Sequence, residues 1–87
     1  MKLYRIRLKI MKEYRGKETT VSKKEKWVCD NENTANRLYN RYLADLKNKT
    51  YSGIHYGFVE MYEPDIVYDG MIYDRPKGGQ YIRKTSL

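Results

Sequence analysis

The sequence predicts a small two-layer α+β domain, an antiparallel sheet with one helix packed on one face. The expected order is strand, strand, helix, strand, with an accessory C-terminal hairpin. Three observations predict it. Residues 2–12 alternate apolar and basic side chains with period two. Ala35, Leu38, Tyr42, Leu43 and Leu46 recur at helical spacing. Residues 55–62 return to period two.

The first strand sets Tyr4, Ile6, Leu8 and Ile10 on a buried face and turns Arg5, Arg7 and Lys9 the other way. Residues 13–18 hold the only glycine of the first half, Gly16, and read as a hairpin turn. Residues 19–29 form the returning strand. Val21 and Trp27 share a parity that Val28 breaks, so a bulge or a second register is expected there. Asp30, Asn31 and Asn33 are N-cap candidates for a helix over about 32–47, and Glu32 suits its first turn. Leu43 lies central in its apolar stripe, with Asn36, Arg37, Asn40, Arg41 and Lys47 on the other side.

In the third strand Val59 and Met61 face the helix, while Phe58, Glu60 and Tyr62 face away. Pro64 ends it or confines it to an edge. Residues 65–74 read as a small hairpin about Asp69-Gly70, a dipeptide that suits a type I′ turn. The domain is therefore placed at 1–74. Residues 75–87 contain few large apolar side chains and read as a mobile C-terminal tail. Removal of residues 76–87 is expected to leave the thermal midpoint almost unchanged.

Composition narrows the function. A chain of 87 residues makes one thin-cored domain. Ten tyrosines must supply much of the core area, their hydroxyls at its edge. Nucleophilic catalysis needs a nucleophile with a base in reach, and His55 is the only histidine, near Ser52 with no third group to orient it. Cys29 and His55 are too few for a structural zinc site, and Asp65, Asp69 and Asp74 miss the calcium-loop spacing. Gly78-Gly79 lacks the surroundings of a phosphate loop. No enzyme activity, metal or cofactor is expected. The N-terminus lacks a signal-like apolar run, no segment is long and apolar enough for a membrane helix, and one cysteine suits a reducing cytoplasm. A cytoplasmic location is expected.

The net charge is +7, and the excess sits in the first half, which predicts a basic face. Arg5, Arg7 and Lys9 line the sheet face away from the helix, and Phe58 and Tyr62 share it. Lys24 and Lys26 join in one register of the second strand. Cations neutralise phosphates and rings stack on bases of any identity. RNA-binding sheets combine the two, though the glycine–aromatic signatures of the RNA recognition motif are missing here. The bland alternative is a solvated face whose rings are covered by residues 65–74. A second basic set, Arg37 and Arg41, lies one helical turn apart, with Arg41 placed to pair with Asp45.

A basic strand, the turn Arg15-Gly16-Lys17, a strand ending Trp27-Val28, an Asn/Glu-rich cap, an Ala-x-x-x-Leu-Tyr helix and the strand Phe58-Val59-Glu60-Met61-Tyr62 follow in order. Over residues 2–63 this resembles short phage-encoded strand–strand–helix–strand accessory proteins, including anti-CRISPR and other anti-defence inhibitors. A composition rich in residues of AT-rich codons agrees with a phage or AT-rich bacterial source. The resemblance implies action by binding alone and carries no site residues. Many such inhibitors are acidic DNA mimics, whereas this chain is basic. The expected partner is nucleic acid or a nucleoprotein; the alternative is a host protein covered by a Tyr-rich surface. A homo-dimer through the open sheet face is a third reading, and no membrane partner is expected.

Overall fold

The structure, a computed structural model, describes residues 2–51, 55–64, 66–68, 72–74 and 79–87. β1 (Leu3–Tyr14) and β2 (Lys17–Cys29) form a hairpin, α1 (Glu32–Tyr51) follows, and β3 (His55–Glu63) returns beside β1. β4 (Ile66–Tyr68) and β5 (Ile72–Asp74) pair with each other, and β6 (Gln80–Ser86) closes the chain. The main sheet is antiparallel in the order β2-β1-β3-β6, with α1 packed on one face. Among the described residues no helix is long and apolar enough to cross a membrane.

The β1–β2 turn needs left-handed backbone at two positions. Arg15 has φ 50° and Gly16 φ 77°, the pattern of a type I′ turn, which matches the twist of the flanking strands. The expected irregularity in β2 is present: Ile10 pairs with Ser22 and Met11 with Thr20, so Val21 is a bulged residue. Beyond Lys12 the hairpin leaves β3 behind and continues as an exposed two-stranded arm.

Asn31 is the N-cap of α1, its Oδ1 accepting the Thr34 N–H at 3.0 Å. The helix runs to Tyr51, one turn past the expected end at 47. There the Thr50 hydroxyl donates to the Leu46 carbonyl at 2.8 Å. The core joins Tyr4, Ile6, Leu8, Ile10, Val59 and Met61 of the sheet to Ala35, Tyr39, Tyr42 and Leu46 of the helix. The buried stripe is thus rotated from the expected one. Tyr39 is buried at its centre, while Leu38 and Leu43 are only partly buried at its flanks. A Tyr among polar neighbours hides its apolar body behind its hydroxyl.

The C-terminal segment corrects the sequence reading. Residues 80–86 are not a mobile tail but β6, the fourth strand, paired with β3 from Phe58↔Ser86 to Glu63↔Gln80. The domain therefore includes residues beyond 74. The strand was missed because its helix-facing side is polar. Thr85 Oγ1 and the Tyr39 hydroxyl lie 2.7 Å apart. The Arg83 guanidinium lies 4.0 Å from the Tyr39 ring centroid and donates to Asn36 Oδ1 at 3.0 Å. The accessory hairpin is present as β4–β5 with Tyr68 opposite Ile72, and its turn at Asp69-Gly70 lies outside the described residues. So do residues 75–78 of the expected tail and Ser52, the expected neighbour of His55.

Candidate functional site

The face of the sheet away from α1 is organised in rows that cross the strands. Register places Trp27, Arg5, Tyr62 and Tyr81 side by side on β2, β1, β3 and β6. The Arg5 guanidinium lies 4.7 Å from the Tyr62 ring centroid and 6.0 Å from that of Trp27. The rings of Tyr62 and Tyr81 are 5.0 Å apart, tilted by 51°. These three distances suit favourable ring–cation and ring–ring contact. At the ends of the row Trp27 is 51% exposed and Tyr81 56% exposed, although each is a large aromatic side chain. Gly79 makes room for this row. Its φ of 89° suits glycine, and a Cβ there would overlap the Tyr62 hydroxyl.

The next row is Glu25, Arg7, Glu60 and Lys84. Glu60 is 1% exposed. Its Oε1 accepts from Arg7 Nε and pairs with Arg7 Nη2. Arg5 Nη2 lies 3.7 Å from the same oxygen, and Arg5 Nε lies 3.8 Å from Glu25 Oε1. A buried carboxylate is tolerated where cations and hydrogen bonds replace its water. Here it holds Arg5 and Arg7 in place and offsets part of their charge. The third row is Lys23, Lys9, Phe58 and Ser86. Lys84 Nζ sits between Phe58 and Tyr81, 5.3 and 5.8 Å from the two ring centroids. Among the described residues no carboxylate pairs with Lys9, Lys23 or Lys84. These lysines, rather than the two arginines, carry the unbalanced charge of the face.

Five of the expected site residues, Arg5, Arg7, Lys9, Phe58 and Tyr62, come together on this face. Lys24 and Lys26 do not. They stand opposite Leu8 and Ile6, on the helix side of the sheet. One helix covers the central strands, so these edge positions lie at the rim of the core, where a lysine stem can pack and its ammonium still reach water. Lys24 Nζ lies 3.4 Å from Asp45 Oδ2. That carboxylate was expected to pair with Arg41; its ion pair is with Lys24 instead. Trp27, Tyr81, Lys23, Lys84 and the clamping role of Glu60 were not foreseen. Trp27 and Lys23 follow from pairing β2 with β1 in the observed register. Tyr81 and Lys84 required recognition of β6, for which Tyr81, Ile82 and Thr85 were the available β-forming signal.

At the far end of the face the Tyr56 hydroxyl donates to Glu18 Oε1 at 2.5 Å, fastening the exposed arm to β3. This hydrogen bond, with partial desolvation, pushes the Tyr56 phenol up to about 12. Burial beneath the helix raises the Tyr42 phenol as well. In comparisons with known proteins, no family model, no curated protein and no solved structure matches this chain.

Proposed function

We propose that this protein is a small non-enzymatic accessory protein that binds single-stranded nucleic acid, or a nucleoprotein presenting it, through the open face of its sheet. The observation that carries the reading is the Trp27–Arg5–Tyr62–Tyr81 row, with exposed rings at both ends and the unbalanced Lys9, Lys23 and Lys84 beside it. Exposed rings on a sheet are costly in water and useful to unstacked bases, each stacked base contributing roughly 1–3 kcal/mol. Lysines beside the rings supply phosphate contacts without selecting a base. Double-stranded DNA offers its bases only edge-on, so rings exposed for stacking favour single strands.

The test is titration of labelled single-stranded oligonucleotides across salt concentrations. Binding at about 50 mM salt with a log–log slope near −2 is expected for about three phosphate contacts. One observation favours a second reading, a protein-blocking inhibitor: Trp27 and Tyr81 are residue types enriched at interface hot spots. That reading predicts no oligonucleotide binding and a protein complex that survives about 0.5 M salt.

A further inference from the structure

On the helix side of the β2 edge lies a groove of about 280 Å³ lined by Lys26, Val28, Thr34, Arg37, Leu38 and Arg41. It is near the low end of small-molecule pockets, which run to roughly 300–1,000 Å³, so it has room for one small group. Its floor is the partly buried pair Val28 and Leu38. Its rim carries three cations and no carboxylate. Among the described residues none of the three is ion-paired, and Asp45, one turn beyond Arg41, is engaged by Lys24. Arg37 and Arg41 are one helical turn apart and therefore adjacent on one side of α1.

The groove and the ring row meet at the same strand. β2 is one of the two outer strands of the sheet, and neighbouring Lys26 and Trp27 point to its two faces. Lys26 stands opposite Ile6 on the groove side, and Trp27 opposite Arg5 on the open side.

We propose that a bound single strand passes over the β2 edge at Trp27 and seats one further nucleotide in this groove, its phosphates between Arg37, Arg41 and Lys26. Val28 and Leu38 then cover the flat face of its base. The proposal rests on the open-face reading and extends it from a flat platform to a path around the sheet edge. The occupant is nucleic acid rather than an acidic peptide because the groove combines an apolar floor with a cationic rim and continues the ring row.

The test compares oligothymidylates of about four and about twelve nucleotides, lengths within the range of known single-strand sites. The Arg37→Gln/Arg41→Gln variant is measured beside wild type and beside a charge-matched control, Lys12→Gln/Lys47→Gln. The longer oligonucleotide should bind the arginine variant about tenfold more weakly, with its salt slope flattened by about 1.4 for two lost contacts. The shorter one should bind both variants like wild type, and the control should bind the longer one like wild type. An unchanged affinity for the longer oligonucleotide, or an equal loss at both lengths, overturns the edge path while leaving the open-face reading intact. Failure of wild type to bind either length overturns both. Both arginines are exposed, so their replacement leaves the core untouched.

Discussion

The Tyr39 hydroxyl and Thr85 Oγ1 share a hydrogen bond of 2.7 Å between the middle of α1 and the last strand of the sheet. The pair explains how a polar C-terminal segment is held. Its helix-facing residues bond to α1 instead of filling space against it. Tyr39→Phe keeps the ring and removes the bond, at a cost of about 1 kcal/mol. For a domain of this size that lowers the thermal midpoint by about 4–8 °C. Deleting residues 79–87 should lower it far more, because β3 then loses one of its two partner strands. A midpoint unmoved by the deletion would mean that β6 adds nothing to the fold.

The rotated helix stripe gives a second expectation. Leu46 is fully buried, whereas Leu43 is only partly so. Leu46→Ala should cost about 2–5 kcal/mol by lost transfer plus cavity. Leu43→Ala should cost roughly half as much, since the apolar term follows the area buried. Urea denaturation of the two variants decides the order. Equal losses would mean that Leu43 is buried as deeply as Leu46.

These two cases mark where the sequence stops being legible. β1 alternates cleanly, with Tyr4, Ile6, Leu8 and Ile10 buried against the helix and basic residues opposite, so strand, face and half of the open surface were readable. β3 was readable for the same reason. Periodicity fails where a buried position is held through a polar group. Tyr39 lies outside the apolar stripe, and Arg83 and Thr85 disguise β6, because their contacts are hydrogen bonds and ring–cation contacts whose partners lie far along the chain. Lys24 and Lys26 were misplaced because a bulge at Val21 left the parity of β2 undecided until its pairing with β1 was known. The clamp on Arg5 and Arg7 was hidden in another way. Glu60 was expected on the open face, but a carboxylate there reads as solvated until its cationic neighbours bury it.

Tyr56 gives an expectation in pH. Its phenol is raised from the ordinary 10 to about 12 by donating to Glu18, so the neutral form is the one the fold favours. A value raised on folding contributes stability in full below the unfolded value and loses it as pH climbs through the folded one. The stability difference between wild type and Tyr56→Phe should therefore be constant from about pH 7 to 10 and shrink between about pH 10 and 12. Denaturant titrations of both proteins across that window measure it. A difference that stays constant through the window would mean that the bond to Glu18 is not formed in solution.

Glu60 offers a test of how the open face is charged. Glu60→Gln keeps the shape of the side chain but removes the charge that holds Arg5 and Arg7. Breaking a buried pair costs about 3–5 kcal/mol when the partner left behind is also buried. Arg7 is 34% exposed, and the amide oxygen still accepts, so about 1–3 kcal/mol is expected. If the face binds nucleic acid, the released Arg7 should add a phosphate contact and steepen the salt slope by about 0.7. A slope identical to wild type would show that Arg7 does not face phosphate.

The division of labour on the open face separates charge from stacking, and that separation is measurable. Lys9, Lys23 and Lys84 carry no carboxylate partner among the described residues, whereas Arg5 and Arg7 share Glu60. Replacing the three lysines by Gln should weaken oligonucleotide binding and flatten the salt slope by about 2, whatever the base sequence. Replacing Arg5 by Gln should change the slope little but loosen the stack between Trp27 and Tyr62. Trp27→Ala and Tyr81→Ala should each lower affinity by about 1–3 kcal/mol with the slope preserved, since each ring contributes a base-stacking surface and no charge. Both rings are more than half exposed, so these changes should leave the unfolding midpoint nearly where it was. The discriminating result is the crossed pattern, slope lost with lysines and affinity lost at constant slope with rings. Loss of slope in the ring variants would mean that they distort the sheet, and an unchanged slope in the lysine variant would mean that the phosphates lie elsewhere.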